Sequence, residues 1–268
     1  MPNQPHAEPS RNHSGRSAIV VAHPGHELRV YYWMEQQRPL YCCLTEGSGG
    51  SAESRLSTTT GLLKSVGASP GPLYGRYPDK QVYRLLLDGE VDVFVQMAQE
   101  LADALVDEGV ECVVGDAVEG FNPVHDVCRF VTDGAAALAA RRSGRLVRNY
   151  DFVLDGRPDA CPDALRSDAL WLTLDEAALA RKIDAALEYP ELRAEVTAAL
   201  QRFGKQAFAV ECLRPVTTAL MIERFEHEAP AYESYGAIRV NEGRYEDVIR
   251  YREHVLPVRL AIEQAILQ

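Results

Sequence analysis

The stretch Val20-Val21-Ala22-His23-Pro24-Gly25-His26-Glu27 decides the reading of this chain: an apolar run stops at a histidine, a Pro-Gly turn follows, and a second histidine comes three residues after the first. Ala18 to Ala22 contains no polar side chain, the pattern of a strand buried on both faces. A strand that empties into a short turn and then a helix sets the turn's side chains at the carboxyl edge of a sheet, where open α/β folds bind ligands. Two imidazoles at such an edge are candidates to hold a metal ion.

Working outward, helical spacing runs from about His26 to Gln37 and is stopped by Pro39. A second apolar run, Leu40 to Thr45, ends in the glycine-rich loop Glu46-Gly47-Ser48-Gly49-Gly50-Ser51. Arg55 to Val66 predicts a helix closed by Gly67, Leu73 to Tyr77 a third strand, and the helical spacing from Asp92 to Leu105 leads into a fourth strand at Glu111 to Val114. After Gly120-Phe121-Asn122-Pro123 comes a helix with Val124, Val127, Cys128, Val131, Ala135 and Leu138 on its apolar face. Arg145 to Leu154 supplies a fifth strand. This alternation predicts an α/β, Rossmann-like, largely parallel twisted sheet flanked by helices.

Beyond Asp155 the texture changes to a Pro, Asp and Gly-rich connection followed by helices at about 174–187 and 192–203. A short strand at 207–212 and a periodic segment at 245–267, broken by Pro257 near His254, complete the chain. The expected organisation is a disordered leader at 1–17, a Rossmann-like metal-binding core at 18–154, and a helical C-terminal region at 155–268 packed on the same domain.

Lys and Arg total 28 against 39 Asp and Glu, a net charge of -11, which argues against a nucleic-acid footprint spread over the surface. No run approaches the roughly 20 apolar residues of a membrane helix, and the leader has no apolar segment of the signal-peptide kind. The six cysteines form no CxxC pair, so reduced thiols and a cytoplasmic location are expected. The partner expected is a small-molecule substrate, without nucleic acid or membrane, and a homo-oligomer stays open.

His125 follows a strand, a glycine turn and a proline at what should be the same sheet edge, making it the third candidate ligand beside His23 and His26. Three protein ligands with one open position are the usual donor set of a catalytic zinc. Glu46, ending the second strand, is a candidate general base, and Asn122 a candidate donor to an oxyanion. Glu27 reads as a first-turn complement to the helix dipole. Asp126 either orients a ligand or caps its helix. Arg55 is placed to face an anionic or hydroxylated substrate. Gly47-Ser48-Gly49-Gly50-Ser51-Ala52 formally fits GxGxxA, but it follows the second strand and lacks the acidic residue about 20 positions on that a dinucleotide site uses.

Taken together, Ala18 to Leu154 resembles the PIG-L/LmbE-like superfamily of zinc-dependent N-deacetylases. Ala22-His23-Pro24-Gly25-His26-Glu27 stands where that family has A-H-P-D-D-E, Asn122-Pro123-Val124-His125 where it has H-P-D-H, and Pro78-Asp79 matches a Pro-Asp after its third strand. The resemblance implies one zinc on His23, His26 and His125, three histidines replacing a His-Asp-His set, and substrate contacts from Arg55 and Asp79. It implies a metal-dependent hydrolase of an amide C–N bond in a small polar N-acyl metabolite. This sequence departs from the family at two points of chemistry: Gly25 replaces the catalytic Asp, and Asn122 replaces the oxyanion-stabilising His. Those departures leave two alternatives, a different hydrolytic or transfer reaction at the same metal, or a non-catalytic binding relative.

Overall fold

The computed structural model describes residues 15–49 and 53–268. Most of the leader and the Gly50-Ser51-Ala52 part of the GxGxxA match lie outside the described residues.

Within them the strands are β1 (Arg16–Val21), β2 (Leu40–Cys43), β3 (Ser69–Pro70), β4 (Val110–Asp116), β5 (Arg148–Phe152), β6 (Leu170–Thr173) and β7 (Val210–Pro215). They form one seven-stranded sheet in the order β3-β2-β1-β4-β5-β7-β6. The first five run parallel, whereas β7 is antiparallel to both β5 and β6. The helices are α1 (Tyr31–Gln37), α2 (Leu56–Val66), α3 (Asp79–Leu87), α4 (Val91–Asp107), α5 (Pro123–Ser143), α6 (Glu176–Glu188), α7 (Arg193–Phe203), α8 (Thr218–His227), α9 (Ala231–Asn241) and α10 (Leu256–Leu267). None is long and apolar enough to cross a membrane.

The period of two in β1 explains the layering. Ala18, Val20 and Ala22 point into a core shared with α4, α5 and α10, while Ile19 and Val21 point into the opposite core with Trp33, Leu63 and Ala186. Both faces of the strand are covered, as an unbroken apolar run requires. The sheet's order reverses direction between β1 and β4, the neighbours that lie at its centre. That switch point is where a crevice opens beyond the strands' carboxyl ends.

Three expectations change. Residues 73–77 are a turn: Leu73 is buried with a left-handed φ of 67°, and the third strand is instead the two-residue Ser69–Pro70 at the sheet's edge. Pro70 has no N–H to offer a further neighbour, which suits an edge. Asp79, of the Pro78-Asp79 pair, opens a helix, α3. The C-terminal region is helical but also supplies β6 and β7. It is tied to the sheet by Asp151, whose carboxylate accepts from Arg214 Nε at 2.7 Å and from the Thr217 amide at 2.8 Å. The expected break near His254 is a wide helical turn, Tyr251–Val255, leading into α10.

Candidate metal centre and its cavity

His23 and His26 lie just beyond β1, and His125 in the first turn of α5 just beyond β4, so the switch point brings together histidines about a hundred positions apart in sequence. Their ring centroids form a nearly equilateral triangle with sides of 5.3, 5.0 and 4.6 Å. Imidazoles bound through one nitrogen at about 2.0–2.1 Å around a tetrahedral ion would place their centroids about 5 Å apart. Among the described residues, no three His, Cys, Asp or Glu side chains already have their donor atoms gathered in metal-holding geometry. The fit therefore lies in ring spacing, tautomers and charge, and a bound ion would have to draw the nitrogens inward.

The tautomers follow from the hydrogen bonds. His23 Nδ1 is 2.7 Å from Thr45 Oγ1, and that hydroxyl already donates to the Ala22 carbonyl. It must therefore accept from His23, which leaves Nε2 with a free lone pair. Asp79 Oδ1 stands 2.9 Å from the same Nδ1. His26 Nδ1 lies 2.8 Å from Asp116 Oδ2, an oxygen that also accepts from the Ala22 amide at 2.8 Å. A carboxylate that holds the far nitrogen of a histidine fixes the ring and makes the near nitrogen a better ligand.

Burial, opposed by hydrogen bonding toward Asp79, lowers the pKa of His23. His125 is held well below the ordinary imidazole value, first by burial and then by the neighbouring His26 and His23. Both shifts favour the neutral, ligating form. For Asp79, burial works to raise the carboxyl's pKa, but hydrogen bonds from His23 and the Gly49 amide outweigh it and bring it to about 2. Asp79 Oδ1 and Asp116 Oδ1 are both buried without a full hydrogen-bond partner. Two carboxylates with unspent acceptor capacity beside imidazoles suit a divalent cation.

The triad opens on a cavity of about 530 Å³ that is also lined by Arg55, Asp79, Tyr83 and Asn122. Of the residues singled out in the sequence, His23, His26, His125, Arg55, Asp79 and Asn122 meet in this one space. Asn122 Oδ1 caps α5 by accepting from the Val124 amide at 2.8 Å and also accepts from the Tyr83 hydroxyl at 3.1 Å. Its amide NH2 is the group left to donate toward a ligand.

Glu46 and Asp126 are not among the lining residues. Glu46 Oε2 is buried without a partner, while its main chain receives the Arg55 amide. Asp126 accepts from the Glu119 and Gly120 amides at 3.1 and 3.2 Å, so it shapes the turn before α5 instead of reaching a histidine. Asp116, whose carboxylate does reach one, was missed in the sequence; its signal was an acid ending an otherwise apolar strand. Glu27 is fully buried, accepting from the Gly25 amide at 2.7 Å and the Tyr41 and Thr59 hydroxyls at 3.0 and 2.9 Å. It braces the turn from inside, a stronger role than complementing a helix dipole, and burial pushes its carboxyl's pKa up.

Gly25 has φ 106°, and a Cβ there would lie 2.2 Å from Leu192 Cδ1 and 3.5 Å from Tyr189 Cζ. The position at which the resemblance calls for an acid is therefore closed twice, by backbone conformation and by a leucine from the start of α7.

No protein-family model and no curated protein matches the chain by sequence. Solved structures do. The crystal structure of the A40926 pseudoaglycone deacetylase Dbv21 is similar with a TM-score of 0.51 and 18% identity, covering 76% of this chain and 97% of that one. The zinc inhibited form of teicoplanin deacetylase Orf2 gives 0.48 and 13%, over 74% and 97%. The chain therefore shares its fold with the first of these, a deacetylase, as the sequence resemblance implied.

Proposed function

We propose that this protein is a metal-dependent hydrolase that cleaves an amide C–N bond of a small N-acyl metabolite. The observation that carries the reading is the convergence of three imidazoles at the switch point, two with their Nδ1 atoms held beside Asp79 and Asp116. His23, His26 and His125 would hold one divalent ion, with zinc the leading candidate. When bound, such an ion supplies Lewis acidity at a carbonyl and lowers the pKa of water.

The chain's own residues do the rest. Thr45, Asp79 and Asp116 keep the imidazoles in one tautomer and orientation. The Asn122 amide donates to the carbonyl oxygen as it gains charge. Arg55 anchors a polar substituent at the cavity wall. Gly25 offers no group to take a proton, so that step falls to one of the carboxylates lining the cavity, Asp79, Asp155 or Glu195.

The test is to load purified protein with zinc and follow primary-amine release from a panel of N-acyl amines. Turnover that a chelator abolishes and zinc restores supports the reading. Leu192 filling the space beside Gly25 favours a second reading, a binding protein without turnover; one equivalent of bound metal with no amine released from any substrate would select it.

A further inference from the structure

One wall of the cavity is mostly hydrocarbon, with Lys182 of α6 and Glu195 of α7 as its charged lining residues. It includes Ile183 from α6, Phe208 from the turn after α7, and Leu192, Val196, Ala199 and Leu200 from α7 and its N-terminal flank. The last four have the spacing of one face of a helix, yet no residue of α7 is buried. A helix normally gains its place by burying its apolar stripe. Here that stripe is only partly covered by protein, and its other border is the cavity.

The stripe also has a direction. It begins at Leu192, whose Cδ1 occupies the space beside Gly25 and so borders the histidine turn, and it continues along the cavity lining to Leu200. Eight residues of helix cover about 12 Å, the length of an extended aliphatic chain of roughly eight to ten carbons. An acetyl group would leave most of this wall, and most of a cavity of about 530 Å³, in contact with water alone.

We infer that the acyl group removed is a medium-length aliphatic chain laid along α7, so that the substrate class is an N-fatty-acyl amine. The inference rests on the amide-hydrolase reading above. The carbonyl carbon sits at the triad, the chain follows Leu192, Val196 and Leu200, and the amine lies on the Arg55 and Asn122 side. Water adds its oxygen to the acyl carbon, the C–N bond breaks, and nitrogen leaves with both water protons as the ammonium form of the amine. The acid departs as its carboxylate.

Two measurements test this separately from the reaction. The first is decanoate binding to the metal-loaded protein by calorimetry, compared with Leu200→Asp and with the volume-preserving Leu200→Met. The second is kcat/KM across N-acetyl, N-butanoyl, N-octanoyl and N-decanoyl glucosamine. A buried methylene is worth up to about fourfold, so a rise of at least about 100-fold from acetyl to decanoyl is expected. Decanoate affinity should fall at least about tenfold in Leu200→Asp and survive in Leu200→Met.

Decanoate binding that depends on Leu200 without turnover of any substrate would sink the reaction reading and keep the acyl site. Acetyl turnover as fast as decanoyl, with no decanoate bound, would overturn the acyl site and keep the reaction. A dimer in light scattering that decanoate neither binds nor dissociates would give the stripe to a second copy of the chain, and would likewise overturn the inference.

Discussion

The cavity has two walls built on opposite logic. The wall at the ends of β1 and β4 is polar and highly specified: Thr45, Asp79, Asp116 and Asn122 each make named hydrogen bonds or close contacts that hold a ring or a helix end. The wall from α6 and α7 is mostly apolar, with Lys182 and Glu195 as its charged members, and contains no buried residue in α7. The first wall orients its side chains through directional contacts, the kind of positioning chemistry depends on. The second offers surface, which selects by size and hydrophobicity. On the proposed function, chemistry and selectivity would be carried by different parts of the chain, joined where Leu192 meets Gly25.

The largest expected effect tests the polar wall. His26→Ala should lose the bound metal in elemental analysis and lower kcat/KM at least about 1000-fold, because the ion supplies the Lewis acid. The circular dichroism spectrum should be retained. A variant that keeps a full equivalent of metal would remove His26 from the ligand set.

The junction comes next. Gly25→Ala should cost about 2–5 kcal/mol in chemical denaturation, combining roughly 1–2 for a left-handed backbone and 1–3 for overpacking against Leu192. Adding Leu192→Ala should return the overpacking share and leave the backbone share, so the two changes should be strongly non-additive. Additive costs would mean that the two walls are not coupled at this point. The same geometry predicts that Gly25→Asp by itself does not install a working acid, since the carboxylate has no room until Leu192 is shortened.

How much of this was legible in the sequence follows the same division. The three histidines, Asn122, Arg55 and Asp79 could be found because a local pattern, a buried strand ending in polar residues, reports the sheet edge directly. Asp116 carried the same kind of signal, an acid closing Val113-Val114-Gly115, but a single acid after a strand says nothing of the histidine about ninety residues away that it holds. Residues 73–77 have a strand's composition, and Leu73 is buried as a strand residue would be, yet its left-handed backbone makes a turn. The intrusion of Leu192 beside Gly25 joins parts of the chain 167 positions apart by number, and no periodicity encodes it.

Asp116→Asn should have a smaller effect than loss of a ligand. The amide can still meet the Ala22 N–H through its oxygen, but it removes the negative charge that polarises His26. Weakening of metal affinity by about 10- to 100-fold is expected, measured by competition with a chelator, with a fold that still melts cooperatively. Unchanged affinity would reduce Asp116 to a brace for the β1 turn.

The smallest effect concerns Glu119, which lies in the loop after β4 and ties the polar wall to the segment that leads into the C-terminal region. Its carboxylate accepts from the Leu154 amide at 2.9 Å and also from the Asp155 amide, and Leu154 and Asp155 line the cavity. Burial raises its pKa from 4.5 to about 7, against the opposing pull of those amides and of Arg214 and Arg29. A carboxyl raised on folding binds more protons in the native state than in the unfolded one. Its contribution is therefore fully present below about pH 4.5 and is lost as pH rises through about 7. The neutral imidazoles His23 and His125 act in the opposite sense, because their pKa values are lowered on folding, so the total profile does not isolate Glu119. The difference between wild type and Glu119→Gln does: the variant keeps an oxygen to accept from the amides but has nothing to ionise. Its melting temperature should gain on that of the wild type by a few degrees between pH 5 and pH 8, on the order of what 1 kcal/mol produces in a domain of this size. A constant difference across that range would show that Glu119 titrates alike in the folded and unfolded chain, and that the tie between the two walls does not depend on its charge.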